Sequence, residues 1–344
     1  MNTQIIKIDK NNINHNEMTK LGKIIADGGL VAFPTETVYG LGANAFNDNA
    51  CKNIYLAKGR PSDNPLIVHF ADVESINDAV SEMNRDAKKL FDSFSPGPLT
   101  VILKKSEKIS NTVTAGLDTV AVRIPSDIIA RELIRASGVP IAAPSANLSG
   151  KPSPTTSRHV IADMCGRIDA IIDAQDCSVG VESTIIDMSG ETPVILRPGG
   201  ITYTQINKIL PNVIIDKHIL NSIENNEHPK CPGMKYKHYA PDADVTVVEG
   251  EKEKVRKKIE ELLLQNTNKK CGVLTLGQAS YKTATVINAG NNNKEYAKNL
   301  FRSLREFDEN NVDIVFAEFI IEDDYSLTVK NRLYKSAGNK IIYV

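Results

Sequence analysis

At 344 residues, with 41% hydrophobic and 24% charged side chains, the chain has ordinary globular composition and is long for one core, so two domains are expected. A formal net charge of −1 provides no bulk attraction to nucleic acid or to an anionic membrane surface. No apolar run approaches the roughly 18 residues that a bilayer span requires, and residues 1–7 lack the apolar core of a secretion signal, so a cytoplasmic protein with no membrane partner is expected.

Residues 4–8 are rich in strand formers, and 18–27 carry helical spacing up to the Gly28-Gly29 stop. Leu30-Val31-Ala32-Phe33 is a short apolar run ending at Pro34, as a buried strand does. Residues 49–58 read as a helix closed by Gly59 and Pro61, 66–70 as a strand, 86–94 as a helix, and 99–103 as a strand behind Pro96-Gly97-Pro98. Strands are expected at 120–124, 141–143 and 170–173, a helix at 128–137, and a hairpin from 184–188 and 194–196 around Ser189-Gly190. The polar, proline-bearing stretch after residue 220 reads as a linker. Beyond it, strands at 245–248, 272–276, 284–287, 312–316 and 340–344 alternate with helices at 253–264, 293–307 and 326–336. The expected fold is α/β: an open twisted mixed-sheet domain over 1–220, a linker or lid over 221–242, and a small Rossmann-like parallel α/β domain over 243–344.

The five cysteines are scattered without a C-x-x-C pair, and the six histidines form neither H-E-x-x-H nor a helical i, i+4 pair, so no zinc site built by the protein is expected. There is no G-x-x-x-x-G-K-[ST], no G-x-G-x-x-G behind a strand and no G-x-S-x-G. Four polar clusters stand instead at strand ends, where α/β sheets place their ligands. The first, Pro34-Thr35-Glu36-Thr37-Val38-Tyr39-Gly40-Leu41-Gly42, reads equally as a turn in which Thr37 caps a helix. In the second, Lys58-Gly59-Arg60-Pro61, Lys58 offers a point charge and Arg60 a planar fork, the pair a polyphosphate needs; a solvated loop is the alternative. The third, Ala143-Pro144-Ser145-Ala146-Asn147, supplies neutral donors. The fourth joins Glu182-Ser183-Thr184 to Arg197-Pro198-Gly199-Gly200.

These clusters, with Ser95-Pro96-Gly97-Pro98-Leu99-Thr100 and Val122-Arg123-Ile124-Pro125, resemble the YrdC-like family in order and spacing. With Pro232-Gly233-Met234-Lys235-Tyr236-Lys237-His238-Tyr239-Ala240-Pro241 and the second domain, essentially the whole chain is similar to that family's long, two-domain threonylcarbamoyl-AMP synthases. The resemblance implies a nucleotidyltransferase that condenses L-threonine, bicarbonate or CO2, and ATP into threonylcarbamoyl-AMP, releasing pyrophosphate. This is the first step of threonylcarbamoyladenosine modification of ANN-decoding tRNAs. It implies a catalytic core of Lys58, Arg60, Ser145 and Asn147. Arg60, Asn64, Thr119, Ser145, Ser153, Arg197, Tyr236 and Tyr239 match ATP-binding positions, and Thr37, His69, Arg123, Ala143 and Ser183 match positions around threonine. His69 is also readable as a buried, satisfied strand-end histidine, and Tyr236, His238 and Tyr239 as interdomain packing.

Mg2+ is expected to ride on the ATP phosphates, with no metal ligand from the protein. Glu36 is left out of the site, since a carboxylate beside phosphates is unfavourable unless it meets Mg2+. The implied partners are a downstream tRNA threonylcarbamoyl transferase machinery and a weak RNA contact; the second domain is assigned lid support or partner docking. Two rival functions are an RNA-binding module, disfavoured by the near-neutral charge, and a relative on the same fold handling another carbamoyl donor or acceptor.

Overall fold

The computed structural model describes residues 1–62, 64–219, 239–321 and 323–344. They divide into two compact units, Met1–Ser149 with Ser153–Lys235, and Gly150–Pro152 with Tyr236–Val344.

The strands of the first unit are β1 (Gln4–Lys7), β2 (Val31–Phe33), β3 (Gly40–Asn44), β4 (Ile67–His69), β5 (Leu99–Lys104), β6 (Thr119–Arg123), β7 (Ile141–Ala142), β8 (Ala170–Asp173), β9 (Thr184–Asp187), β10 (Val194–Arg197) and β11 (Ile214–Ile215). Its helices are α1 (His15–Ala26), α2 (Asp48–Lys58), α3 (Arg85–Phe94), α4 (Asn111–Thr114), α5 (Ile128–Ser137), α6 (Ser157–Met164) and α7 (Tyr203–Ile209). The strands form one mixed sheet in the order β1-β8-β2-β3-β7-β4-β6-β5-β9-β10-β11.

Local signals explain the helix limits. The Asp127 carboxylate accepts from the backbone N–H groups of Ile129 and Ala130 to start α5, and Gly138 at φ 65° ends it. Asn47 caps α2, and Gly59 at φ 63° turns the chain toward Arg60. Helices α1 and α5 touch because residue 22 is glycine: a Cβ there would lie 2.4 Å from the Ala136 carbonyl carbon. They cover an apolar core that includes Leu21, Phe33, Leu133, Ile141 and Ile172.

The second unit holds β12 (Asp244–Glu249), α8 (Lys252–Gln265), β13 (Cys271–Thr275), β14 (Ala284–Asn288), α9 (Asn293–Glu309), β15 (Ile314–Phe319), α10 (Ser326–Ser336) and β16 (Ile341–Tyr343). All its strand pairings are parallel, in the order β14-β13-β15-β12-β16. Val248, Val255, Ile259, Val273 and Phe316 are part of its core. Among the described residues no helix is long and apolar enough to cross a membrane.

The α/β class, the mixed first sheet and the parallel second sheet are as expected. Two local readings are corrected. In the 34–42 cluster the chain bends between β2 and β3, but no helix follows Thr37 and residues 40–44 are a strand antiparallel to β2. Thr119 opens β6 instead of preceding it. Helices α6 and α7 lie where only connecting segments were expected.

Candidate active site

Helix α2 delivers Lys58 as its last residue, and the ammonium is buried. Its Nζ donates to the carbonyl oxygens of Ser145 at 2.6 Å and Asn147 at 2.7 Å, and lies 3.4 Å from Asn147 Oδ1. Ser145 Oγ donates to the same Oδ1 at 2.5 Å, while Asn147 Nδ2 donates to the Leu148 carbonyl. The turn is pinned from the other side by β3. Leu41 N–H donates to Pro144 O, and Ala146 N–H donates to Tyr39 O. An isolated bridge joins Gly40 to Ser145. Lys58, Ser145 and Asn147 therefore form one rigid turn, with the lysine charge pointed into its carbonyls.

Arg60 and Asn64 are linked through Tyr55. The Arg60 guanidinium carbon lies 6.0 Å from the Tyr55 ring centroid, and the Tyr55 hydroxyl donates to the Asn64 carbonyl at 2.6 Å.

A second group lies along one face of the sheet. Side chains alternate along a strand, so Thr119, Ala121 and Arg123 share a face of β6. Register places His69 of β4 and Thr100 of β5 opposite Arg123, one on each side. On the same face, Ile67, Ala121, Ile102 and Ile185 form a buried apolar strip with Leu196. The face thus runs from the polar row at Arg123, over an apolar floor, to Thr119, a distance of about 13 Å at strand rise. Ala143 abuts this region through its N–H, which donates to Ile67 O at 2.9 Å.

Thr100 Oγ1 is 2.7 Å from Ser183 Oγ. The Arg197 fork holds Ser183 as well: Nε and Nη2 donate to its carbonyl at 3.2 and 3.0 Å, and Nη2 lies 3.2 Å from Oγ. Gly199 permits this approach of β10 to β9, since a Cβ there would lie 2.3 Å from Glu182 O. Ser153 joins the group through its Oγ, which donates to Glu182 Oε1 at 2.7 Å.

Glu36 pairs with Arg123 at 2.7 Å, and both side chains are buried. Its second oxygen accepts from Ser126 N–H at 3.1 Å. Thr37 stands beside it, with Oγ1 2.8 Å from Thr35 Oγ1. Burial, and then the Arg123 charge, push His69 down to about 3, so the ring is neutral near pH 7. Its Nδ1 lies 3.1 Å from Ile67 O, a carbonyl that can only accept.

The structure therefore gathers Lys58, Ser145 and Asn147 in one turn, Arg60 and Asn64 around Tyr55, and His69, Arg123, Ser183, Arg197 and Ser153 in a connected row. Tyr236 and His238 lie outside the described residues. Tyr239 is buried in the second unit, its ring centroid 4.9 Å from that of Phe301 and 5.5 Å from the Arg332 guanidinium carbon. Sequence reasoning left Glu36 out and gave Thr100 and Glu182 no role of their own, although Glu36 and Glu182 lie in the polar clusters and Thr100 is a hydroxyl at the start of a strand within a proline-marked segment.

The Sua5/YciO/YrdC family model, described as "Telomere recombination", matches residues 23–199, and a model described as "Threonylcarbamoyl-AMP synthase, C-terminal domain" matches 201–338. A threonylcarbamoyl-AMP synthase of Pyrococcus abyssi is 49% identical over 322 residues, 93% of this chain and 94% of the relative. The chain belongs to the threonylcarbamoyl-AMP synthase family. A Bacillus subtilis threonylcarbamoyl-AMP synthase is 45% identical over 97% of this chain and 96% of its own length. The crystal structure of P. abyssi Sua5 complexed with L-threonine is similar at a TM-score of 0.95 and 48% identity, covering 99% of this chain and 100% of that one. The two family models together span residues 23–338.

Proposed function

We propose that this chain makes L-threonylcarbamoyl-AMP from L-threonine, bicarbonate or CO2, and ATP, releasing pyrophosphate. The observation that carries this reading is the polar row His69–Arg123–Thr100, joined through Ser183 to Arg197, beside an apolar floor that leads to Thr119. A small amphipathic amino acid fits the Arg123 end: a guanidinium pairs with its carboxylate, while the methyl-bearing side chain meets apolar surface. Thr37, His69, Ala143 and Ser183 are assigned to the same substrate, and the neutral imidazole of His69 adds no charge there.

N-carboxylated threonine is an anion that must approach the α-phosphate of an anionic nucleotide. Arg60 and Arg197 are assigned to lowering that repulsion and to stabilising departing pyrophosphate, with Asn64, Thr119, Ser145 and Ser153 binding ATP. Lys58 serves by orienting the Ser145–Asn147 turn with its buried charge. A carboxylate nucleophile needs no general base, so alignment of the two substrates is the main catalytic device.

Mg2+ is assigned to the ATP phosphates and their waters. Glu36 and Glu182 are engaged by Arg123, Ser126 and Ser153, a poor fit to a protein-built magnesium cage. Residues 221–242 are assigned as a lid, because an acyl-adenylate hydrolyses readily and gains from exclusion of water. Nucleotide contact from the lid is assigned to Tyr236 and Tyr239. The product is assigned to a cytoplasmic transferase machinery that modifies tRNA.

The reading is tested by supplying ATP and bicarbonate with each amino acid in turn and following pyrophosphate. Release with threonine alone supports it; retention of RNA on the protein without turnover overturns it.

A further inference from the structure

Glu36 is a buried carboxylate that the proposed chemistry does not consume. Its Oε1 accepts from Arg123 Nη2 at 2.7 Å, and its Oε2 accepts from Ser126 N–H at 3.1 Å. Arg123 Nε is buried and has no hydrogen-bond partner among the described residues. Glu36 holds Nη2 and so fixes the guanidinium plane, while the Nε–H on the neighbouring position is left as a donor for another acceptor. Arg123 also stands beside His69, whose neutral ring cannot compensate its charge.

We propose that Glu36 is a positioning residue for the amino-acid substrate: it aims Arg123 at one carboxylate and cancels the excess charge that would otherwise admit further anions. This rests on the assignment of Arg123 to threonine. The same side chain spans two segments of the site. It belongs to the β2–β3 connection that carries Thr37, and it anchors on Arg123 and on Ser126, the third residue after it, so two threonine-site residues 86 positions apart are held in register. Thr35 reinforces the connection, its Oγ1 donating to Val38 O at 2.6 Å. In Glu36→Gln a single amide oxygen cannot serve both donors, and the NH2 group faces one of them with a donor of its own. Arg123 is then left as a buried charge with an incomplete partner.

The experiment is steady-state pyrophosphate release by full-length wild type, Glu36→Gln, Arg123→Lys and the double variant, with threonine and ATP varied separately. Glu36→Gln is expected to raise the threonine KM about tenfold or more while leaving the ATP KM within about twofold. In the Arg123→Lys background the same change is expected to lose most of its effect, because Glu36 acts through Arg123. Glu36→Asp, which keeps the charge but is one methylene shorter, is expected to fall between wild type and Glu36→Gln, and it takes the place of Glu36→Gln should that variant not fold.

A threonine KM unchanged by both Glu36 substitutions overturns the proposal while leaving the synthase reading standing, provided wild type turns over with threonine. An equal rise in both KM values, or an effect undiminished beside Arg123→Lys, also overturns it. Wild type that releases no pyrophosphate with threonine sinks the synthase reading, and this proposal with it.

Discussion

Lys58 and Ser145, 87 residues apart in sequence, are joined by a 2.6 Å hydrogen bond from the lysine ammonium to the serine carbonyl. The same ammonium holds the Asn147 carbonyl, so one charge organises the whole turn. Lys58→Met keeps the bulk but leaves buried carbonyl oxygens without their donor. It is expected to lower kcat/KM by about 100-fold and stability by about 1–3 kcal/mol, measured by pyrophosphate release and urea unfolding.

Arg197 is gripped differently, with Nε and Nη2 both on the Ser183 carbonyl. A lysine has one donor group where the guanidinium has a fork. Arg197→Lys should therefore lower kcat/KM about tenfold or more, with the loss shared between ATP and threonine because Ser183 also meets Thr100. Initial-rate kinetics in both substrates checks this.

Gly199 lies where an added Cβ would be 2.3 Å from Glu182 O and 2.5 Å from the Ser183 carbonyl carbon and the Thr184 nitrogen. All three are backbone atoms, which cannot swing aside. Gly199→Ala should cost about 1–3 kcal/mol or more and move Ser183 off Arg197, lowering activity beyond the loss of folded protein. Thermal unfolding paired with specific activity separates the two effects.

His69 makes folding depend on pH. Its ordinary value of 6.5 falls to about 3 in the folded chain, so between those values the unfolded state binds the extra proton. Stability from this residue is full above about pH 6.5 and declines as pH falls toward 3. His69→Gln should unfold with a shallower acid dependence than wild type, as denaturant midpoints across pH 4–7 would record.

Much of this was legible in sequence. Helix α5 starts and stops where Asp127 and Gly138 say it should, because cap and left-handed turn are local chemistry. Strand β3 was not legible: glycines at 40 and 42 signal a turn, yet they are there because a Cβ would lie 3.0 and 2.9 Å from the Phe33 ring. Helices α6 and α7 are short and weakly periodic. At the site, residue type and spacing marked Lys58-Arg60 and Ser145-Asn147 only as separate polar clusters, and it was the family resemblance that implied one group. Neither said that Lys58 would face carbonyls, nor that Glu36 would face Arg123. Each depends on a contact across more than 80 residues, which only strand register reveals.

The most direct measurement follows the carbon itself. Labelled bicarbonate is incubated with the full chain and ATP, with and without threonine, and the nucleotide products are separated. Label is expected in a species that also contains AMP and threonine, formed only when both ATP and threonine are present. AMP-linked product that lacks the label, or that forms equally well without threonine, would contradict the synthase reading.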